Sequence, residues 1–475
     1  MNLKLTTHSP KLNIRDTTPI KMVVVTMDTH FASSFNRANA QLKRDFPGLT
    51  WSLHAASEYT GNDALIAKCK ADIASADIVL CGMLFLEDHF LPILDDLRAR
   101  RMNCDAMVCM ASATEVTQLT RFGQFDMSKP ASGPMALLKK LRGGGGKDKP
   151  ATGGAAQMKM LRRLPQLLRF IPGTAQDVRA YFITLQYWLG GSDDNVLNMV
   201  RHLIDRGADG ARKSLRGKIK VEAPVDYPEV GVYHPKIKTG ISADLGALPK
   251  KVQASKGCQG TVGLLLMRSY ALAGNSSHYD AVIKALEVRG LRVIPAFAAG
   301  LDARPAVHRF FMEDDAPVVD AVVSLTGFSL VGGPAYNDTD AAQELLKSLD
   351  VPYLAVQALE FQSIETWADS ALGLMPIEAT MMVSIPELDG ATGPLVFGGR
   401  SDQATDRPNA MQPHGERINM LADRVSCLVN LRRKGQQERK VAVVLFNFPP
   451  NSGGTGTAAH LSVFESLYNT LKALK

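Results

Sequence analysis

Residues suited to chemistry concentrate in one polar loop of this chain, between two apolar runs. The first run, Val262–Met267, is typical of a strand buried on both faces, and the second, Leu291–Phe297, follows an amphipathic helix. The loop carries Arg268, Asn275 and His278. Ligands of open α/β sheets bind at the carboxyl ends of strands, where this loop falls. We therefore expect a binding site in which His278 ligates a metal or moves protons, unless its ring only caps the helix or faces solvent.

The segment SIPELDGATGPLVFGGR, residues 384–400, is a second candidate. It places Glu387 and Asp389 just after a predicted strand and ends in Arg400. Paired carboxylates at a strand end bind hard cations or accept protons from a substrate nitrogen. In the alternative interpretation, both side chains only accept hydrogen bonds from backbone N–H groups in a turn.

Three glycine-containing segments each allow two interpretations. The loop Asn447–Ala459 lies between a predicted strand and a helix, which suits an anion at the helix N-terminus or tight loop packing. It lacks the lysine of a P-loop, which argues against ATP. Gly332 and Gly333 either admit a flat ligand or turn the chain. Trp188, in QYWLGGSDDN, belongs either to an aromatic contact surface or to the core.

Strand and helix patterns alternate along most of the chain. From Lys21 to Phe122 four predicted strands are each followed by a helix, and the alternation returns at Thr261. Strands separated by helices of this length form parallel sheets. The predicted fold class is α/β, with several doubly wound parallel-sheet (Rossmann- or flavodoxin-like) units and a helical connecting region. None of the loops between Lys21 and Phe122 carries G-x-G-x-x-G or a Walker A sequence, so a nucleotide site in this part of the chain has no support.

Four local predictions bear on the site and on the domain ends. They are a helix at Glu115–Phe122, a cap from Asp193 or Asp194 on the helix Val196–Arg206, a helix and a strand within Pro376–Pro386, and a buried strand at Lys440–Phe446.

Composition shifts divide the chain into six predicted segments. They are a loose arm (1–19), an N-terminal α/β domain (20–128), a basic Gly-rich linker (129–172), a helical and irregular neck (173–256), an α/β domain with candidate ligand loops (257–439), and the start of a further α/β unit (440–475). The last segment stops in a helix without a C-cap, so we expect the chain to be the N-terminal part of a longer protein.

The charge of the chain has a local origin. Of the net +7, the stretch Lys129–Arg169 supplies ten basic residues and one acid, Asp148, which leaves about −2 for the rest. The sequence therefore does not predict a nucleic-acid-binding protein. The basic stretch is either a solvated loop or a dock for an acidic partner, with at most peripheral contact to an anionic membrane.

The remaining composition is that of a globular protein. Hydrophobic residues make up 45% and charged residues 21% of the chain, and no apolar run is long enough to cross a membrane. Six cysteines are scattered without a C-x-x-C pair, which indicates free thiols in a reducing compartment. We expect a cytoplasmic location.

Five blocks of sequence, in order, resemble a known family. They are YFITLQYWLGGSDDNVLNMV, VGVYHP, the stretch Thr261–Phe297, SIPELDGATGPLVFGGR, and LFNFPPNSGGTGTAAHLSVFESLYNTLKAL. Together they are similar to the porphyrin-binding H subunits of magnesium chelatases, of the bacteriochlorophyll type, and to the related large subunits of aerobic cobaltochelatases. The resemblance covers roughly residues 20–475, and the N-terminal α/β region favours magnesium over cobalt.

The resemblance implies an ATP-dependent insertion of Mg²⁺, the substrate metal, into protoporphyrin IX for (bacterio)chlorophyll synthesis. ATP would be hydrolysed on two AAA+ partner subunits, and the next methyltransferase of the pathway is a further possible partner. Pyrrole N–H protons must be removed during insertion, for which we expect His278 and Glu387 as catalytic residues. The substrate-binding candidates are Arg268, Asn275, Arg400 and Asn447, with Arg268 pairing a propionate. The alternatives are a cobaltochelatase subunit and a non-catalytic docking module for the AAA+ partners.

Overall fold

The computed structural model describes residues 17–27, 31–59, 61–129, 164–249, 259–333, 336–403, 410–445 and 462–475. Its described strands form two six-stranded sheets, one three-stranded sheet and two short hairpins. Both large sheets lie in one compact unit, Met1–Val429, and Asn430–Lys475 forms a second unit. The central strands of both large sheets are parallel and alternate with helices, so the predicted α/β fold class is confirmed.

The N-terminal sheet has the strand order β2-β1-β3-β4-β5-β6. Its strands are β1 Ile20–Thr26, β2 Leu49–Ala55, β3 Ile78–Gly82, β4 Ala106–Met110, β5 Arg121–Phe122 and β6 Phe125–Asp126. The first four are parallel, and β5 and β6 add an antiparallel hairpin at the edge. Strands β3 and β4 are buried along their whole length because helices cover both faces, as their apolar runs predict.

Helices form a layer on each face of this sheet. They are α1 Phe31–Asp45, α2 Asp63–Ser75, α3 Glu87–Arg100, α4 Thr114–Thr117, α5 Thr174–Gly190 and α6 Asp193–Gly207. The core on one face contains residues of α1, α5 and α6, and the core on the other face contains residues of α2 and α3. The predicted neck helices α5 and α6 therefore complete a layer of the N-terminal sheet.

Two local predictions in this region are wrong. The predicted helix Glu115–Phe122 ends at Thr117, because Arg121 pairs with Met107 on the free edge of β4. Helix α6 is capped by Ser192, whose Oγ accepts a hydrogen bond from the Asn195 N–H. Asp193 serves a different purpose, since its Oδ1 accepts from Arg37 Nη2 at 2.7 Å.

The second large sheet has the order β16-β13-β9-β10-β7-β8. Its strands are β7 Val230–Tyr233, β8 Ile241–Ser242, β9 Gly260–Leu265, β10 Leu291–Ala298, β13 Ala321–Ser324 and β16 Tyr353–Ala355. Two short hairpins lie between these strands in the sequence. They are β11 Met312–Glu313 with β12 Ala316–Pro317, and β14 Gly332–Gly333 with β15 Tyr336–Asn337. Strands β9, β10, β13 and β16 are parallel, and β7 and β8 extend the sheet antiparallel. The predicted irregular neck thus supplies two strands of this sheet.

The helices of the C-terminal half are α7 Arg268–Leu272, α8 Ser277–Val288, α9 Arg304–Phe310, α10 Thr339–Leu349, α11 Ile364–Asp369, α12 Pro376–Glu378, α13 Ile385–Asp389, α14 Gly415–Arg433 and α15 Val463–Leu474. Helices α8 and α14 contribute to the core on one face of the second sheet, and α9 and α10 contribute to the core on the other. The buried side of α8 is Tyr279, Val282, Ile283 and Leu286, as the helical spacing predicts.

A smaller sheet adjoins this core through β17 Gln357–Ser363, β18 Val396–Arg400 and β19 Met411–Pro413. The strand predicted within Pro376–Pro386 is wrong: α12, a π-helical stretch at Ala379–Ser384 and α13 make this segment helical. Residue types that favour strands do not form a strand by themselves. A strand needs a neighbouring strand to accept and donate its backbone hydrogen bonds, whereas a helix forms these bonds within its own segment.

In the second unit, the strand predicted at Lys440–Phe446 is wrong for residues 440–445, which form no strand; Phe446 lies outside the described residues. Helix α15 matches the prediction Val463–Leu474. Within the part of the chain that the structure describes, no helix is both long and apolar enough to cross a membrane.

Candidate functional site

The residues of the predicted ligand loop lie on two helices and the short turn between them. Arg268 begins α7, Gly274 turns the chain with a φ of +60°, and α8 begins at Ser277. Asn275 is buried, and its Oδ1 accepts a hydrogen bond from the Met411 N–H at 2.8 Å. Asn275 therefore attaches β19 to the start of α8, and its role in substrate binding stays a prediction.

His278 is buried completely within an aromatic layer. Its ring stacks on Phe397 at 5.7 Å between centroids, meets Tyr270 edge-on at 5.4 Å, and lies beside Tyr279. Neither ring nitrogen has a hydrogen-bond partner among the described residues. Burial lowers the pKa of His278 to about 3, so the ring is neutral at pH 7. The interpretations in which His278 caps the helix or faces solvent are wrong, and proton transfer by His278 stays a prediction that requires this layer to open.

The crevice at the carboxyl ends of β9, β10 and β13 is nearly filled. The sheet order changes direction here, which is where open α/β sheets bind ligands. A cavity of about 20 Å³ remains between Leu265, Phe297, Ser324 and Phe328, which is room for about one water molecule. An organic ligand does not fit at this switch point in the described conformation.

The two predicted carboxylates have different surroundings on α13. Glu387 is exposed to solvent, whereas Asp389 is buried. The Asp389 Oδ2 accepts hydrogen bonds from Ser329 Oγ at 2.7 Å and from the Leu330 N–H at 2.8 Å. Burial raises the pKa of Asp389 despite these bonds. The turn-stabilising interpretation is confirmed for Asp389.

Glu387 and His278 lie on opposite sides of the second sheet. Helix α13 adjoins α10, where Gln343 Nε2 donates to the Leu388 carbonyl at 3.2 Å, and α10 covers the face opposite α8. The two predicted acid/base residues therefore do not share one site in this conformation. Their catalytic roles stay predictions.

Arg400 joins the smaller sheet to the N-terminal region. Its Nη1 donates to Glu58 Oε1 at 2.7 Å, and its Nη2 donates to the Phe361 carbonyl at 3.3 Å. Arg400 is 9% exposed, so substrate binding by its guanidinium stays a prediction that requires a change in these contacts. Asn447 lies outside the described residues.

Arg268 faces a large cavity on the other side of α7. The cavity has a volume of about 610 Å³, within the range of small-molecule pockets. Arg268 is half-buried, and its two Nη groups donate to the carbonyls of Pro228 and Leu189 at 3.2 and 3.4 Å. The other walls come from residues 165–170, from α5, and from the extended segment 223–227.

The cavity combines apolar walls with positive charge. Its apolar and aromatic lining is Pro165, Phe170, Phe182, Ile183, Leu185, Leu189, Pro224, Val225 and Tyr227. Its charged lining is Arg169, Arg179, Arg268 and Asp226, so three cations face one anion. Burial, followed by repulsion from Arg206 and Arg169, lowers the pKa of Arg179. Such surroundings favour an anionic ligand with an apolar body.

Sequence reasoning did not select Arg169 or Arg179 as site residues. Arg169 ends the basic stretch Lys129–Arg169, which is predicted to be a solvated loop or a dock, and Arg179 lies just before the block YFITLQYWLGGSDDNVLNMV. The sequence does contain a signal for Arg179 as a site residue. Phe182 and Ile183 follow it at helical spacing, which places a cation beside apolar side chains on one face of α5. Trp188, the predicted aromatic contact or core residue, is 2% exposed and packs against Gly82 in the core.

Among the described residues, no group of three His, Cys, Asp or Glu side chains is arranged to hold a metal ion. The glycine pair Gly332–Gly333 pairs with Tyr336–Asn337 as a hairpin, which matches the turn interpretation. The cavity beside Arg268 combines a volume of about 610 Å³ with apolar walls and cationic side chains, which suits an organic anion.

Comparisons with known proteins show that the chain is similar to subunits of metal chelatases. Residues 185–475 match the family model described as CobN/Magnesium Chelatase, and residues 21–182 match a domain of unknown function, DUF3479. The magnesium-chelatase H subunit of Cereibacter sphaeroides is 49% identical over 468 residues, covering 96% of this chain and 38% of that relative. The chloroplastic magnesium-chelatase ChlH subunit of Oryza sativa is 35% identical over 96% of this chain and 33% of its own length.

Cobalt-specific relatives are more distant. The aerobic cobaltochelatase CobN subunit of a Sinorhizobium species is 27% identical over 61% of this chain and 22% of its own length. Among solved structures, the catalytic subunit of cobaltochelatase from Mycobacterium tuberculosis aligns with a TM-score of 0.52 at 16% identity, over 96% of this chain and 30% of that one. This likeness concerns the fold alone. The chain spans a little over a third of the length of its curated bacterial relatives.

Proposed function

The chain belongs to the CobN/magnesium chelatase family, and from this premise we propose that it acts as part of a magnesium chelatase H subunit. Its task would be to hold protoporphyrin IX during the ATP-dependent insertion of Mg²⁺, in the synthesis of chlorophyll or bacteriochlorophyll. The observation that carries the proposal is the 49% identity to the Cereibacter sphaeroides protein over 96% of this chain. The α/β fold agrees with it.

Magnesium is the proposed substrate metal because the magnesium-chelatase relatives are more similar to this chain than the cobaltochelatase relative is. The magnesium-chelatase relatives match 96% of the chain at 35% to 49% identity, whereas the cobaltochelatase relative matches 61% at 27%. Mg²⁺ gives up its water ligands reluctantly, so its insertion needs energy and a prepared porphyrin. ATP hydrolysis on two AAA+ partner subunits would supply that energy, and the pathway's next methyltransferase is a further proposed partner.

Proton removal from the pyrrole nitrogens remains part of the proposal. His278 and Glu387 are its candidate acid/base residues, and Asn275, Arg400 and Asn447 are candidate contacts to the substrate. Arg268 has the strongest support of the six, because it lines the 610 Å³ cavity with apolar walls. A cytoplasmic location is also proposed, supported by the free thiols of the five described cysteines.

The test is a metal-insertion assay on the complete subunit combined with its AAA+ partners. Protoporphyrin IX with Mg²⁺ and ATP is offered in one reaction, and Co²⁺ with a corrin-type substrate in another. The fluorescence of the magnesium porphyrin should appear only in the first reaction and only with ATP. Activity with cobalt alone would favour the cobaltochelatase alternative, and activity with neither metal would contradict the proposal.

A docking role for the basic stretch 129–169 is a second proposal with its own test. Residues 130–163 lie outside the described part of the chain. Deletion of residues 130–158 should weaken partner-driven insertion if the stretch docks an acidic partner. Unchanged insertion by this deletion variant would contradict docking and would leave the chelatase proposal intact.

A further inference from the structure

The described residues that line the cavity beside α5 carry more positive than negative charge. Three arginines and one aspartate line it, which leaves an excess of two positive charges. Arg179 Nε donates to the Pro165 carbonyl at 3.0 Å, and its Nη groups have no acceptor within the described ranges. Arg169 lies over the ring of Phe170 at 5.8 Å and likewise has no carboxylate partner among the described side chains.

The walls between these cations are suited to a flat, apolar molecule. Phe182, Ile183 and Leu189 contribute from α5, and Val225 and Tyr227 contribute from the segment 223–227. Phe170, which also lines the cavity, is 83% exposed, and the Arg169 guanidinium lies over its ring.

Two walls of the cavity, helix α5 and the segment 223–227, are held in place by contacts with neighbouring parts of the protein. Helix α5 is anchored in the N-terminal core through Tyr187 and Trp188, both at most 2% exposed. The segment 223–227 is held to α6, where Asn195 Nδ2 donates to the Val225 carbonyl at 3.1 Å and Asn195 Oδ1 accepts from the Val225 N–H at 2.9 Å. A preformed site of this kind binds its ligand without a large cost of ordering.

We propose that this cavity binds a planar apolar dicarboxylate, with Arg169 and Arg179 pairing its carboxylates and the apolar walls covering its ring. Resting on the proposed function, the ligand would be the porphyrin, held through its two propionates. Arg268 also lines the cavity, and its guanidinium donates hydrogen bonds to the carbonyls of Pro228 and Leu189. Arg169 and Arg179 thus become ligand-binding residues.

The experiment is a binding titration of this 475-residue chain with deuteroporphyrin IX, a soluble dicarboxylic porphyrin, and with its dimethyl ester. The variants are Arg169→Met and Arg179→Met, singly and together. Methionine keeps the length and apolar contacts of the side chain and removes the charge. The matched control is Arg206→Met, because Arg206 is an exposed arginine near Arg179 that faces Asp205 and does not line the cavity.

We expect each single variant to bind the diacid about tenfold more weakly, since a hydrogen bond to a charged group contributes about 1.5 kcal/mol. The double variant should lose more than either single variant, and Arg206→Met should bind as the unchanged chain does. The ester should bind the unchanged chain more weakly than the diacid, a comparison that involves no mutation and no risk of misfolding.

Equal affinity for diacid and ester, no binding of either by the unchanged chain, or full affinity in the double variant would overturn this inference. None of these results decides the proposed function, because metal insertion is measured separately on the complete subunit. Conversely, a complete subunit that inserts no metal would contradict the proposed function, while the arginine dependence of diacid binding would still identify the cavity as an anion site.

Discussion

At the scale of single residues, burial decides what each ionisable side chain can do. His278 and His202 are both buried histidines, and burial lowers their pKa to about 3 and about 4. Such a histidine stays neutral in the folded chain at pH values where the unfolded chain takes up a proton. The difference in proton binding becomes a dependence of stability on pH.

For His278 the direction of the effect follows from its lowered pKa. The neutral, buried His278 ring contributes its full share to the stability of the folded chain above the unfolded pKa of 6.5. This contribution is lost progressively as the pH falls toward 3, the pKa of His278 in the folded chain. One pH unit in this window corresponds to about 1.4 kcal/mol, so the free energy of unfolding should fall by about 2 kcal/mol from His278 between pH 6.5 and 5. The variant His278→Leu should remove this contribution, as measured by urea unfolding at both pH values.

His308, an exposed histidine on α9, provides the control. The variant His308→Gln should leave the pH dependence attributed to His278 as it is, because His308 is exposed on α9 and lies outside the aromatic layer around His278. An unchanged pH dependence in His278→Leu would show that His278 is not buried as described. Loss of metal insertion by a stably folded His278→Leu variant of the complete subunit would support the catalytic prediction for this residue.

At the scale of secondary-structure elements, the end of helix α9 packs closely on strand β9 because residue 263 is a glycine and has no side chain. Gly263 lies in the middle of β9, and a Cβ there would come within 2.7 Å of the ring of Phe311, which is fully buried. Neighbouring residues cannot yield without disturbing the core around β9 and α9.

We expect Gly263→Ala to lower the free energy of unfolding by about 1–3 kcal/mol through overpacking. Adding Phe311→Leu should recover part of this loss, since the smaller side chain makes room for the new methyl group. The control is Gly415→Ala at the start of α14, where a Cβ would meet nothing within 4 Å. Urea unfolding of the four proteins checks the prediction, and equal stability of Gly263→Ala and Gly415→Ala would contradict it.

At the scale of the whole molecule, a few polar contacts link the regions of the two large sheets. Arg37 Nη2 donates to the Ala273 carbonyl, and Arg268 donates to the Leu189 carbonyl. Arg400 Nη1 donates to Glu58 Oε1, across 342 residues of chain. The last contact is largely removed from solvent, with side-chain exposures of 11% and 24%.

The variant Arg400→Met should lower the free energy of unfolding by about 2 kcal/mol, because it removes a shielded hydrogen bond between charged groups. The control is Arg98→Met, since Arg98 and Asp95 form an ion pair with side-chain exposures of 55% and 92% and should contribute at most about 0.5 kcal/mol. Urea unfolding measures both. Should Arg400→Met weaken porphyrin binding while leaving stability unchanged, Arg400 would be a substrate contact rather than a link between regions.

The fold class was predictable from the sequence because apolar periodicity is a local property. Each of β1, β3, β4 and β9 is a short apolar run of the kind typical of strands covered on both faces. Helix α8 was predictable in the same way from the spacing of its buried residues. The strand predicted at Lys440–Phe446 shows the limit, since an apolar run does not specify a neighbouring strand.

What the sequence by itself determined was therefore the type of most elements, the α/β class and the family resemblance. Only the tertiary structure decided what each polar side chain contacts. It buried His278 against Phe397, paired Arg400 with Glu58, and brought Arg169, Arg179 and Arg268 around one cavity. The physical reason is that strand and helix patterns depend on residues two to four positions apart, whereas burial, charge pairing and cavities depend on residues brought together from distant parts of the chain.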